Sequence, residues 1–127
     1  MSTLQREFDL SMDEILTRLP EALKAEGFGI LTEIDVAATL KAKLDVDFRP
    51  YRILGACNPE FAHRALGQDL GMGTVMPCNV VVWQDGAKTV VRVVDPVATV
   101  GAACGDALCD LAGEARTKLE AALARIG

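Results

Sequence analysis

The sequence predicts an α+β fold: a single mixed β-sheet covered by helices, with elements in the order β-α-β-α-β-α-β-β-α. Three observations predict it. Short runs with strand-like patterning alternate with runs of helical period. Helix-start signals at Ser11, Asp35 and Asn58-Pro59 mark where strand gives way to helix. An Asp85-Gly86 pair joins the last two strand-like runs as a hairpin. Interleaved helices and a late hairpin fit one sheet in a two-layer or three-layer arrangement.

Thr3 to Leu10 reads as a short strand, with Leu4, Phe8 and Leu10 on one face and Arg6 interrupting the alternation. Ser11-Met12-Asp13-Glu14 reads as a capping box, in which the Ser11 hydroxyl accepts a backbone N–H and Glu14 reaches back. Met12, Ile15, Leu16, Leu19 and Leu23 then recur at three and four, the pattern of one buried helical face. Pro20 falls inside this run and should bend or break it. Gly27 and Gly29 close the helix. Gly29 to Ile34 is a strand, and Asp35 caps a helix through Leu44 with an apolar stripe of Val36, Leu40 and Leu44.

Asp45 to Pro50 reads as a loop and Tyr51 to Cys57 as a strand. Asn58 caps the next helix, and Pro59 takes its first position, where a missing N–H costs nothing. Phe61, Ala62, Ala65 and Leu66 line its inner face, and Gly67 to Met76 is a glycine-rich loop. Asn79 to Trp83 reads as a strand buried on both faces, and Lys88 to Val94 returns from the hairpin. The last helix spans about Asp106 to Ile126. Its seam of Leu108, Ala112, Ala115, Leu119, Ala122 and Ile126 is suited to the sheet or to a partner helix.

The 127 residues are one domain's worth, read as a single α/β domain over 1–127. A chain of this size can bury roughly two-thirds of its unfolded surface, so a core needs no staple. A net charge of −5 gives no broad positive field for phosphate backbones, and aromatic residues are scarce, so nucleic acid is not an expected partner. No apolar run approaches the roughly 20 residues of a bilayer span, so no membrane is expected. Met1 to Leu10 carries Arg6, Glu7 and Asp9 without an apolar stretch, so no signal peptide is expected. The expected location is cytoplasmic, with Cys57, Cys78, Cys104 and Cys109 as free thiols. No phosphate-binding glycine motif is present, since Gly71-Met72-Gly73 is too short. No cofactor can be named.

From Gly27 to Pro96 the chain resembles a bacterial and archaeal family known as domain of unknown function 302. The matching segments are Gly27 to Asp35, Tyr51 to Pro59 and Pro77 to Val82, with the Asp95-Pro96 pair after the last strand. The flanking helices fit as well, so the likeness covers nearly the whole chain. The resemblance implies a compact α/β fold, dimeric in some members, and carries over no activity. The sequence departs from the family between Leu66 and Pro77, where an acidic-proline stretch is replaced by Gly67 to Gly73. Cys104 and Cys109 also lie outside the pattern.

Among residues that could carry chemistry, Cys57 stands out, because it ends a strand and precedes a helix start. Backbone donors and the helix dipole there favour an anion, and a thiolate is one. Lys41, Lys43, Arg49, Arg52 and Arg64 make the surrounding stretch locally basic. The competing reading makes Cys57 a small core residue and the charges a solvated face. Cys78 opens the next strand. If the two strands run parallel, Cys57 and Cys78 lie at opposite sheet ends; if the loop returns the chain, they can face each other as a dithiol. The Cys104/Cys109 spacing is unlike common zinc sites, and no metal site is expected. His63 could serve Cys57 as a base, or simply face solvent. Asn79, taken as lying in a buried strand, needs a partner there or a ligand.

The leading reading is a domain, as a homodimer, that binds a small anionic or sulfur-containing ligand near Arg52, Cys57, Asn58, Cys78 and Asn79. One alternative is a thiol enzyme with Cys57 as nucleophile and His63 as base. Another is a purely structural homo-oligomeric module, joined through the last helix or an exposed strand.

Overall fold

The computed structural model describes residues 4–100 and 106–127. The chain runs through β1 (Gln5–Phe8), α1 (Met12–Ala25), β2 (Gly29–Asp35), α2 (Val36–Leu44), β3 (Tyr51–Cys57) and α3 (Pro59–Gln68). A 3-10 turn (Leu70–Val75), β4 (Cys78–Asp85), β5 (Lys88–Val93), α4 (Pro96–Thr99) and α5 (Asp106–Ile126) follow. The class, the single sheet and the order of the long elements are as the sequence predicts. The 3-10 turn is an addition within the segment read as loop, and α4 an addition in a stretch to which the sequence assigned no element.

The five strands lie in the order β1-β5-β4-β3-β2. Every pairing is antiparallel, so the sheet is not mixed as expected. Connections containing a helix suggested parallel crossovers, but α2 and α3 each return the chain to pair beside the strand it left. The helices α1 and α5 cover one face. Ile15, Leu19 and Leu23 of α1 and Ala115, Leu119, Ala122 and Ile126 of α5 pack with Leu54, Ala56, Val80, Val82, Val91 and Val93 of the sheet. The seam of α5 is thus used within the chain, in a two-layer arrangement. A second apolar cluster of Ala65, Met72, Val100, Leu108, Leu111 and Ala112 joins α3 and the 3-10 turn to α5.

The helix starts follow the sequence signals. Ser11 Oγ accepts from Glu14 N–H at 3.1 Å and Asp35 Oδ1 from Ala38 N–H at 3.0 Å. The second half of the expected capping box is replaced: the Glu14 carboxylate pairs with Arg18 at 2.9 Å. Pro20 neither ends nor splits α1, which runs through it to Ala25 with Pro20 on the solvent side. The helix closes with Gly27 N–H on Lys24 O at 3.0 Å and Phe28 N–H on Leu23 O at 2.9 Å. This closure needs a left-handed residue, and Gly27 supplies it at φ +85°. The hairpin loop is Gly86-Ala87, with Gly86 at φ +61°, between the paired Asp85 and Lys88.

The reading of β4 as buried on both faces is corrected. Val80 and Val82 are fully buried beneath the helices, whereas Val81 and Trp83 are partly exposed and Asn79 is exposed. The stripe on α2 also differs from expectation, since the helix buries no residue and Leu44 is 66% exposed.

Candidate functional site

Antiparallel pairing of β3 with β4 settles where the two central cysteines lie. Cys78 pairs with Ala56, so Cys57 is one residue away from the pair, and both thiols sit at the same end of the sheet. Their Cα atoms are on the order of 6 Å apart by strand geometry. Both are free thiols. Cys109, by contrast, is disulfide-bonded, which corrects the free-thiol expectation there; Cys104 lies outside the described residues.

Beside the two thiols is a cavity of about 40 Å³, between the end of β3 and β4, α3 and α5. Its walls are almost wholly apolar and include Phe28, Cys57, Phe61, Met76, Cys78 and Ala112. The site is built by three local features. Asn58 starts α3, its Oδ1 accepting Phe61 N–H at 3.3 Å, and this turns Phe61 towards Phe28, whose ring it meets edge-on at 6.4 Å. The Asn58 amide also lies against Gly27, where a Cβ would come within 3.0 Å of its nitrogen. Met76-Pro77, a cis peptide, leads directly into Cys78. At Gly55 a Cβ would collide with the Thr32 hydroxyl and come within 2.8 Å of the Pro77 ring. Glycine is required there by close approach, since no other residue leaves room for both neighbours.

The electrostatics at this end differ from the reading of an activated thiolate. Burial pushes the Cys57 thiol up, not down. Burial, helped by the neighbouring Cys57, pushes Cys78 up from 9.0 to about 11. Both sulfurs are therefore neutral near pH 7, which suits weak, soft contacts rather than nucleophilic attack. The backbone donors of α3 are also largely taken. Pro59 has no N–H, Phe61 N–H goes to the Asn58 side chain, and Ala62 N–H goes to Asn58 O at 2.9 Å. Glu60 further places a negative charge in the first turn.

Of the predicted site residues, the fold brings Cys57, Asn58 and Cys78 around one cavity. It does not bring Arg52 there. Arg52 begins the same strand, five residues and roughly 17 Å from Cys57, where its guanidinium binds Glu33 and lies 3.4 Å from Asp35. Three of the other cations of the stretch are matched locally, Lys41 with Asp45 and Asp47, Arg49 with Asp85, and Arg64 with Glu114, and Lys43 is exposed on α2. Asn79 is on the opposite face from Cys78 and exposed; its carbonyl accepts Val94 N–H at 3.0 Å. His63 is exposed on α3 and lines a separate shallow hollow with Arg64 and Gln68. Among the described residues no group of three or more His, Cys, Asp or Glu is placed to hold a metal, and no helix is long and apolar enough to cross a membrane.

Sequence reasoning missed Phe28, Phe61 and Met76 as walls of the cavity. The signal available was position: each lies within two residues of a glycine, asparagine or proline that shapes the site.

A family model described as "Domain of unknown function DUF302" matches residues 4–126. The crystal structure of an uncharacterized conserved DUF302 protein from Bacillus stearothermophilus is 34% identical. It superposes with a TM-score of 0.88, covering 99% of this chain and 100% of that one. No curated protein matches the chain.

Proposed function

The chain belongs to the DUF302 family, and we propose that it is a ligand-binding domain whose pocket is the cavity beside Cys57 and Cys78. The ligand is a small, neutral, sulfur-containing molecule rather than an anion. One observation carries this reading: an apolar cavity walled by two neutral thiols, a thioether and two phenyl rings. Sulfur and aromatic walls favour a polarisable guest. The alternative guest, an anion, would need backbone donors that α3 has already committed and cations that are paired elsewhere.

The size of the cavity bounds the affinity. At 40 Å³ it exceeds what one water needs and admits a ligand of few atoms. Even at the ceiling of about 1.5 kcal/mol per heavy atom, a three-atom guest binds no tighter than about 0.5 mM. Dimethyl sulfide is therefore a suitable probe. Titrating it while following the methyl resonances of Ala56, Ala112 and Ala115 should give saturable shifts in the millimolar range, with none from phosphate or sulfite. Saturation by phosphate at the same methyls would restore the anionic reading. Shifts from neither probe would end both.

A further inference from the structure

We infer that the end of the sheet beside α3 is a binding site for a soft monovalent metal ion, copper(I), held by the sulfurs of Cys57, Met76 and Cys78. The strand register brings the three residues together. Cys78 pairs with Ala56, and one step further along β3 sets Cys57 across from the segment Met76-Pro77-Cys78. The sheet ends here, so no further strand pair separates its two faces, and all three residues line one cavity of about 40 Å³. Each of them is only partly buried, which leaves the cavity open to an ion from solvent. A charge on Cys57 is felt at Cys78, so the two thiols lie within electrostatic reach of each other.

The donor set chooses the ion. Two thiols and a thioether are soft ligands, and soft sulfur ligands select copper(I). The cavity offers little to a hard cation. No lining residue is a histidine, an aspartate or a glutamate. The side-chain oxygen of Asn58 already accepts Phe61 N–H at 3.3 Å. Zinc is disfavoured by number, since its structural sites take four protein ligands and these walls supply three sulfurs.

Charge makes the same choice. The walls are almost wholly apolar, so a net charge left among them is costly. Copper(I) displaces the proton of one thiol, Cu⁺ + RSH → Cu–SR + H⁺, and the bound centre is neutral. No electron is transferred, and the second thiol and the thioether donate as neutral sulfurs. The proton leaves from Cys57, which sits at the rim where the sheet ends. A divalent ion making the same exchange would keep a positive charge, and no carboxylate among the walls would offset it. The copper site shares its cavity with the neutral guest proposed above, but it needs only the three sulfurs and does not depend on that guest.

Copper(I) itself is the probe, supplied to the whole chain without oxygen as its coloured bicinchoninate complex, with ascorbate present. The wild type should bleach the complex, taking roughly one ion per chain and releasing about one proton. Copper(I) is diamagnetic, so the methyl resonances of Ala56, Ala112 and Ala115, which line the cavity, should shift without broadening. Cys57→Ser and Cys78→Ser should each abolish uptake, and Met76→Leu should weaken it, with far-UV spectra that stay native. Carbamidomethylation of Cys57 in the folded wild type should give the same loss without a variant. Cys109 is disulfide-bonded and does not compete. A wild type that leaves the bicinchoninate complex intact overturns the inference. So does uptake that survives the block at Cys57, or uptake that leaves the three methyls unmoved. Dimethyl sulfide shifts without copper uptake would strike this inference alone, whereas copper uptake without dimethyl sulfide shifts would strike the neutral guest alone.

Discussion

The two faces of the sheet are made from the same strands, yet they carry different loads. On the covered face Leu54, Val80 and Val82 are at or near zero exposure beneath α1 and α5. On the open face their immediate neighbours Ile53, Val81 and Trp83 are apolar as well, but only partly buried. Apolar character along a strand therefore marks what needs cover, and not what the chain itself covers. The run Val80-Val81-Val82-Trp83 looks like a strand buried on both sides because both of its faces are apolar, and one face lacks a lid of its own.

The sharpest test of this difference sets neighbouring residues against each other. Leu54→Ala removes a side chain from the closed core and should cost about 2–5 kcal/mol. Ile53→Ala removes a similar volume from the partly buried open face and should cost under about 1 kcal/mol. Urea unfolding of both variants at low protein concentration measures the contrast. Equal losses would mean that the open face is structurally as demanding as the covered one.

A second test asks whether the open face is slack everywhere. At Gly55 it is not. Thr32 and Pro77 close over this residue, and a Cβ has no room between them. Gly55→Ala should destabilise by about 1–3 kcal/mol, as overpacking does. It should also disturb the pocket, because Pro77 leads into Cys78. Thr32→Gly, made together with Gly55→Ala, should recover part of the loss by vacating the hydroxyl. Recovery would assign the cost to that collision, and its absence would assign the cost to backbone conformation or to Pro77.

Much of the fold was legible in the residues that organise local backbone. Ser11, Asp35 and Asn58 cap helices as their types and positions suggest, and Asp85-Gly86 forms the hairpin, because these effects act over three or four residues. Strand direction was less legible. Antiparallel pairing of β3 with β4 depends on how α3 and the 3-10 turn return the chain, a property of about twenty residues acting together. The site divided along the same line. Cys57, Asn58 and Cys78 converge because they flank that return, whereas Arg52 is close to Cys57 in sequence but at the far end of an extended strand. A count of nearby cations cannot reveal this, because a strand carries neighbours in sequence far apart in space.

The two thiols bring the comparison to its smallest scale. Cys78 shares the covered face with its partner Ala56, while Cys57, one residue out of phase, sits at the rim where the sheet ends. Burial raises Cys78 to about 11, the neighbouring Cys57 adding to the effect, whereas burial alone raises Cys57. An acid whose folded pKa lies above its unfolded value holds its proton longer in the native state. Cys78 thus contributes stability that is intact below pH 9 and is lost as pH rises towards 11. At pH 10 the loss should be about 1 kcal/mol, since one unit of unequal titration is worth that much. Thermal unfolding across this window should show the decline in the wild type and in Cys57→Ser, and a flatter profile in Cys78→Ala. Alkylation at pH 8 should modify Cys57 first. Should Cys78 react first, the open and covered faces would not remain distinct at this end of the sheet.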